Sequence, residues 1–262
     1  MNRIRKGAPS EKNLRRRNFM IVFLFTAAAL ILAVWFLFGW RIRAVSVENN
    51  VIVSDEAILD ATGVRVGRHV FSVSKKKVAE TVASLSPYVK SVTVRRTLSG
   101  TLRIAVSEYD AVYYVEQEDG YLLLSDSLMV LEKTDDIADC LAKAEIRLSL
   151  SGIKKAEIGK TLTFTSTDAR TATRATLRTI AASPLAGEIT SLDLSNRFAI
   201  KAEISDRYLL LLGSAEALAD KLSLCADTLR YLDENMRGVT GTLYAAIPGE
   251  VSFSATGVSD GT

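Results

Sequence analysis

The sequence predicts an α+β protein built from a single transmembrane helix, a β-α-α-β-β domain and a β-rich domain with two helices. Three observations carry this expectation. Residues 19–40 are 22 residues without a charge, residues 44–111 alternate like strands around two capped helical stretches, and short apolar runs follow one another after Ala111. The boundaries read as a basic tail over 1–18, a span over 19–40, a first domain over 41–111, a second over 112–255 and a polar, disordered tail over 256–262.

The span comes first because its signal is the strongest. At 1.5 Å per residue, 22 helical residues cover about 33 Å, enough to cross a bilayer's hydrocarbon core. Trp35 and Trp40 lie toward its C-terminal end, where indole rings favour the interface. Arg3, Arg5, Lys6, Lys12, Arg15, Arg16 and Arg17 precede it and only Arg41 and Arg43 follow closely, a bias that predicts a cytoplasmic N-terminus. A cleaved signal peptide is the competing reading. The run exceeds the usual signal h-region, and no clear small-residue cleavage site follows it. Residues 1–43 hold nine Lys and Arg against one Glu, whereas the other 219 residues hold 24 basic and 29 acidic groups. The positive net charge therefore belongs to the N-terminus, which argues against a nucleic-acid-binding domain.

In the first domain, "AVSVEN" alternates as a strand. Ser54 caps a helix over "DEAILDAT", with Asp55 and Glu56 in its first turn and Gly63 at its close. "VGRHVFSVS" reads as extended, and Ser74 caps a second helix that ends before Pro87. Lys75, Lys76 and Lys77 occupy that helix's first turn, against its dipole, either as a solvated turn or as an exposed basic surface. Two strands follow around Ser99-Gly100. Val92, Val94, Leu102, Ile104 and Val106 predict the core face, and Thr93, Arg95, Arg103 and Ser107 the wet face.

With Leu85, Pro87 and Tyr88 ahead of Val92, Val94 and Arg96, and Glu108 near the end of the last strand, the chain resembles the FtsQ/DivIB family of bacterial cell-division proteins. The family pattern of Leu-x-Pro, an apolar or aromatic residue, then Val-x-Val-x-Arg fits Leu85, Pro87, Tyr88, Val92, Val94 and Arg96 loosely, and Glu108 fits the Glu near the end of the third strand. Ser99, Ala111 and Asn49-Asn50 depart from it. The resemblance implies that the first domain is POTRA-like and that the second is the family's β domain. It also implies a non-enzymatic, single-pass scaffold at the division septum that coordinates septal cell-wall synthesis.

In the second domain, "AVYYVE", "GYLLLS" and "LMVLEK" read as a meander, and "TDARTATRATLRTIAAS" as a helix with Ala169, Ala172, Leu177 and Ile180 on one face. "ITSLDLS", "FAIKAEIS" and "RYLLLLG" read as strands joined by two tight turns. A helix capped by Ser214 then carries Leu218, Lys221, Leu222, Cys225, Leu229 and Leu232 at helical spacing, and "GTLYAAIPGEVSFSA" supplies two last strands.

Catalytic readings find little support. Ser72/Lys75 and Ser151/Lys154 are Ser-x-x-Lys tetrads, the arrangement in which a neutral Lys activates a hydroxyl, but the companion Ser-Asp-Asn and Lys-Thr-Gly motifs are missing. His69, the single histidine, reads as a surface or satisfied residue. Cys140 and Cys225 read as buried thiols rather than a disulfide or a sortase nucleophile. No catalytic, cofactor-binding or metal residue is predicted, and no cofactor, nucleic acid or small-molecule substrate.

A strand near the chain end tends to form a sheet edge that an extended partner can join. The family resemblance implies FtsB/DivIC-like and FtsL-like bitopic partners at the late strands. By strand order this indicates Tyr244, Val251, Ser252 and Phe253, although Val251 and Phe253 equally suit a core. A membrane-anchored cell-wall hydrolase using Ser72 or Ser151, and a POTRA-bearing secretion component, are the alternative functions.

Overall fold

Helix α1, Glu11–Gly39, contains the uncharged run. In this computed structural model, which describes residues 11–97 and 99–258, its large apolar side chains from Phe19 to Leu32 are exposed. It is long and apolar enough to cross a membrane. Its one hydroxyl near mid-span, Thr26, donates to the carbonyls of Val22 and Phe23 at 3.0 and 2.9 Å, so no polar group faces lipid unpaired there. Arg3, Arg5 and Lys6, residues 259–262 and the side chain of Trp35 lie outside the description.

Contacts divide the chain into two compact units, Met1–Leu85 with Ser91–Ser107, and Ser86–Lys90 with Glu108–Thr262. The first carries β1 (Ala44–Glu48), α2 (Asp55–Thr62), α3 (Lys75–Ala83), β2 (Val89–Arg96, whose first two residues cluster with the second unit) and β3 (Thr101–Glu108). Its sheet order is β1-β3-β2, with β1 parallel to β3. Ser54 and Ser74 accept hydrogen bonds from the N–H groups of Ala57 and Lys77, and Gly63 closes α2 at φ 60°, as the capping residues dictate. Leu102, Ile104, Val106 and Val94 are buried, while Thr93, Arg95, Arg103 and Ser107 are exposed. Gly100 turns the hairpin at φ 85°, where an added Cβ would lie 2.8 Å from the Arg41 carbonyl oxygen.

The stretch expected to run extended before α3 does not. Gly67 at φ 88° bends it, Gly67 N–H donates to Ile42 O and Ile42 N–H to Arg68 O, and a 3₁₀ turn, Val70–Ser72, follows. Pairing with residues 40–42 supplies what the alternating pattern could not foresee.

The second unit is a nine-stranded sheet. Its strands are β4 (Tyr113–Gln117), β5 (Gly120–Leu124), β6 (Val130–Thr134), β7 (Ile146–Leu150), β10 (Ile189–Leu194), β11 (Ile200–Ile204), β12 (Tyr208–Gly213), β13 (Val239–Tyr244) and β14 (Ser252–Val258). Their spatial order is β14-β13-β12-β11-β10-β7-β4-β5-β6. Strands β8 (Ile153–Lys155) and β9 (Thr163–Phe164) form a separate ribbon. The β4-β5-β6 meander and the tight turn between β11 and β12 are present, but β10 and β11 are joined by five residues, 195–199, with Ala199 N–H donating to Asn196 O inside that loop. Residues 205–207 connect β11 to β12; Ser205 and Asp206, at φ 48° and 55°, are the central residues of the turn, with Arg207 N–H closing onto Ile204 O at 3.0 Å.

Three helices accompany this sheet where two were expected: α4 (Ile137–Lys143), α5 (Thr167–Ala181) and α6 (Leu218–Asn235). Helix α4 is seven residues long, too short for a periodic signal, and is started by the Asp136 carboxylate accepting from Ala138 N–H. On α5, Thr173 and Thr176 turn inward beside Leu177 and Ile180, and Ala172 is exposed, because 100° per residue carries position 172 off the stripe. Helix α6 starts four residues after Ser214. The Ser214 hydroxyl accepts from Glu216 N–H at 3.4 Å within a preceding turn, while Ala217 precedes the helix at φ 47° without a side-chain cap. Strand β14 continues through Thr256, Gly257 and Val258, the first residues of the expected disordered tail, because Gly257 and Val258 pair with Thr240 and Val239.

Cys140 and Cys225 are free and fully buried. Burial pushes both thiols up, Cys225 to about 11. Iodoacetamide at pH 8 should therefore leave the native protein unmodified and label two sites only after denaturation, read by intact mass. Rapid native labelling at either site would contradict this packing.

Candidate partner-binding edge

The connection between strands β13 and β14, residues 245–251, turns at Ile247-Pro248-Gly249-Glu250. Pro sits at the second position, Gly249 adopts φ 81° at the third, and Glu250 N–H donates to Ile247 O at 3.2 Å, the geometry of a type II turn. Beside it lies a groove of about 450 Å³ lined by Tyr244, Ala246, Ile247, Gly249, Glu250, Val251 and Ser252. Tyr244 is 49% and Ile247 60% exposed, so two large apolar surfaces stand at its rim.

The four residues indicated by sequence are brought to one sheet edge but divide between its faces. Ser252 pairs with Tyr244, and both point outward into solvent. Val251 and Phe253 are half-buried against the main core, and the Phe253 ring meets Tyr208 edge-on at 6.3 Å. Phe253 lies over Gly241, where an added Cβ would sit 2.6 Å from the ring and 2.3 Å from Ser254 O. Ile247 and Gly241 were not singled out from sequence. The Pro-Gly turn signal was available for the first, but the second has only a tertiary reason.

Below this edge, Tyr208 donates to Asp233 at 3.0 Å, and Arg207 reaches the Tyr208 hydroxyl and Val239 O at 2.9 and 3.2 Å. Burial and the Asp233 carboxylate push the Tyr208 hydroxyl above its ordinary value. Strands β12 and β13 and helix α6 are thereby tied together behind β14.

The sheet's two edges are unlike. At β6, Val130 N–H donates to Lys160 O and Gly159 N–H to Val130 O, so backbone from 159–162 covers the strand's start. At the other end β14 pairs only with β13 among the described strands. Gly241 N–H donates to Arg207 O and Ala245 N–H to Leu211 O, so residues 241, 243 and 245 aim their backbone at β12 and residues 242 and 244 aim theirs at β14. Their partners Ser254 and Ser252 therefore aim their backbone N–H and C=O at β13, and the intervening Phe253 and Ala255 turn theirs outward. Outward-facing backbone of this kind is a template for strand addition.

The catalytic candidates sit elsewhere. The Ser72 hydroxyl donates to His69 O at 2.7 Å, and the Ser151 hydroxyl to Ser195 O at 2.6 Å. Ser151 lines a cavity of about 890 Å³ whose lining does not include Lys154. His69 Nδ1 accepts from Phe71 N–H at 3.3 Å and begins the 3₁₀ turn.

A family model for the FtsQ-type POTRA domain matches residues 40–109. The chain is 27% identical to the cell division protein DivIB of Clostridium botulinum strain Hall over 127 residues, covering 48% of this chain and 49% of that one. It is 23% identical to DivIB of Clostridium acetobutylicum over 184 residues, 70% and 71% of the two chains, and 27% identical to DivIB of Bacillus subtilis over 130 residues, 49% of each. The chain is similar to the FtsQ and DivIB cell division proteins and carries an FtsQ-type POTRA domain. Its match spans about half the length of the C. botulinum and B. subtilis relatives. The matched residues hold the β1-α2-α3-β2-β3 unit, which is the POTRA domain.

Proposed function

We propose that this protein is a non-enzymatic, bitopic scaffold of the bacterial division machinery. Its N-terminus is cytoplasmic and the chain from β1 onward is extracytoplasmic. The β14 edge receives extended segments of FtsB/DivIC-like and FtsL-like membrane proteins and so couples septal cell-wall synthesis to division. The observation that carries the reading is the uncovered β14 edge beside the exposed Tyr244 and Ile247, opposite an edge that is covered. Main-chain hydrogen bonds would supply affinity, and the groove at Tyr244 specificity. The biased charge around α1 supports the orientation, and the names of the relatives support the process.

The test is a titration of the full chain in nanodiscs with the extracytoplasmic segments of the two partners. Ala255→Pro removes an outward N–H from an exposed position and should weaken binding roughly tenfold, with the unfolding midpoint little changed. Proline at Ser252 should instead open the β13–β14 ladder and lower stability as well. Absence of binding by the unaltered chain, or equal binding by Ala255→Pro, would remove strand addition as the mechanism.

A further inference from the structure

We infer that the end of the POTRA unit next to α1 is a docking surface for anionic phospholipid headgroups, presented by Arg41, Arg65, Arg68, Lys75 and Lys77, with Val66 entering the interface. This goes beyond the partner-binding role of β14 and rests on α1 spanning a membrane.

The chain itself fixes the distance. Helix α1 ends at Gly39, and Ile42 lies three residues on, at most about 11 Å away along the chain. Residues 40–42 are bonded to the 67–70 segment: Gly67 N–H to Ile42 O at 2.7 Å, Ile42 N–H to Arg68 O at 2.8 Å, Val70 N–H to Trp40 O at 2.9 Å, and the Arg41 guanidinium to Gly67 O at 3.0 Å. A headgroup layer is roughly 5–8 Å thick on each side of the hydrocarbon. Wherever α1 leaves that hydrocarbon, the 65–71 loop is carried to the headgroups.

The charges of the unit are sorted along the same direction. Strand β1 runs away from α1, and β3 runs parallel to it from a turn whose Gly100 O accepts from Arg43 N–H at 2.9 Å. Arg96 donates to Val73 O, which brings the end of β2 beside the start of α3. From Ala61 to Ala79 the sequence carries Arg65, Arg68, Lys75, Lys76 and Lys77 and no carboxylate. Asp60 and Glu80 flank this stretch, and Glu80 is 3.8 Å from Lys76. Glu48 lies at the far end of β1, about 13 Å beyond Ala44 by strand rise, and Asp55 and Glu56 open α2 after it, with Asn50 donating to Asp55 at 2.7 Å.

Three lysines in the first turn of α3 oppose its dipole, a cost that an anionic surface reverses. Each basic residue at such a surface raises partitioning about fivefold. Val66, 64% exposed in the same loop, has the chemistry for the interface rather than for water.

The test places a bimane label on Val66→Cys in the full chain, in nanodiscs of phosphatidylcholine with or without 30% phosphatidylglycerol and with a headgroup-region spin-labelled lipid as quencher. Buried Cys140 and Cys225 leave the new thiol as the reactive one. Val51→Cys, at a 90% exposed position beyond the far end of β1, is the reference site. Strong quenching at 66 and little at 51 is expected in the anionic discs. It should decrease in pure phosphatidylcholine, in 1 M salt, and in a chain also carrying Arg65→Glu, Lys75→Glu and Lys77→Glu. The last two changes relieve the α3 dipole, so weaker quenching cannot be assigned to a melted helix, and circular dichroism checks the fold. No quenching at 66, equal quenching at 51, or quenching indifferent to lipid charge, salt and the three substitutions would each overturn the inference. Release of the chain by carbonate washing of proteoliposomes would instead refute the α1 span, which separates the two failures.

Discussion

Gly241→Ala is expected to loosen β14 from the sheet. Glycine in a strand interior ordinarily weakens it, and alanine there ordinarily stabilises by about 0.5–1 kcal/mol. Here the sign reverses. The new Cβ would lie 2.3 Å from Ser254 O and within 2.7 Å of two Phe253 ring atoms, and the first of these is backbone that cannot rotate away. Either β13 and β14 separate or Phe253 leaves its contact with Tyr208, at a cost of about 1–3 kcal/mol for overpacking. Because β14 is held by one neighbour, the damage should be local. Hydrogen exchange should show the amides of Ser252 and Ser254 losing protection while those of β10 and β11 keep theirs, and partner binding at the edge should fall with them. Unchanged protection in β14 would show that the strand pair tolerates a methyl there and would remove the packing argument for Gly241.

Lys221→Ala is expected to be the most destabilising single change outside the hydrophobic side chains. Lys221 is 1% exposed on the apolar stripe of α6, and its ammonium donates to Leu212 O and Ser214 O at 3.0 and 3.1 Å. These carbonyls end β12 and begin the loop into α6, so one side chain fastens the helix to the strand next to β13. Truncation removes a long stem from a packed site and strands two carbonyls, for a loss of about 3–5 kcal/mol by urea unfolding. Lys221→Met keeps most of the volume and removes the donors, and should cost about 1–3 kcal/mol. A Met variant as stable as the parent would mean that desolvating the ammonium cancels its two hydrogen bonds.

Where the chain's own neighbours hold a feature, the sequence foretold it. Caps at Ser54 and Ser74, the αL Gly63, the Ser99-Gly100 turn and the alternating Leu102, Ile104 and Val106 each depend on residues within a few positions. Strand β7 carries the same kind of signal, with Ile146, Leu148 and Leu150 alternating, but the stretch is too short and polar-flanked for that alternation to stand out. The extended reading of residues 66–74 failed for a different reason, since the partner that bends them, residues 40–42, lies more than 20 positions away.

The candidate site divides in the same way. Composition and pattern alone determined that the chain has an uncharged helix long enough for a bilayer, a basic N-terminal flank, an α+β plan and a late strand placed near the chain end. Only the tertiary structure decided that β14 is the uncovered edge, that residues 159–162 cover the other, that Phe253 turns into the core over Gly241 while Tyr244 faces solvent, and that Ala255 rather than Ser252 aims its backbone outward. A strand's alternation fixes which side chains share a face. Which neighbour its backbone meets is fixed by pairing with strands far away in sequence, and that information exists only once the sheet has formed.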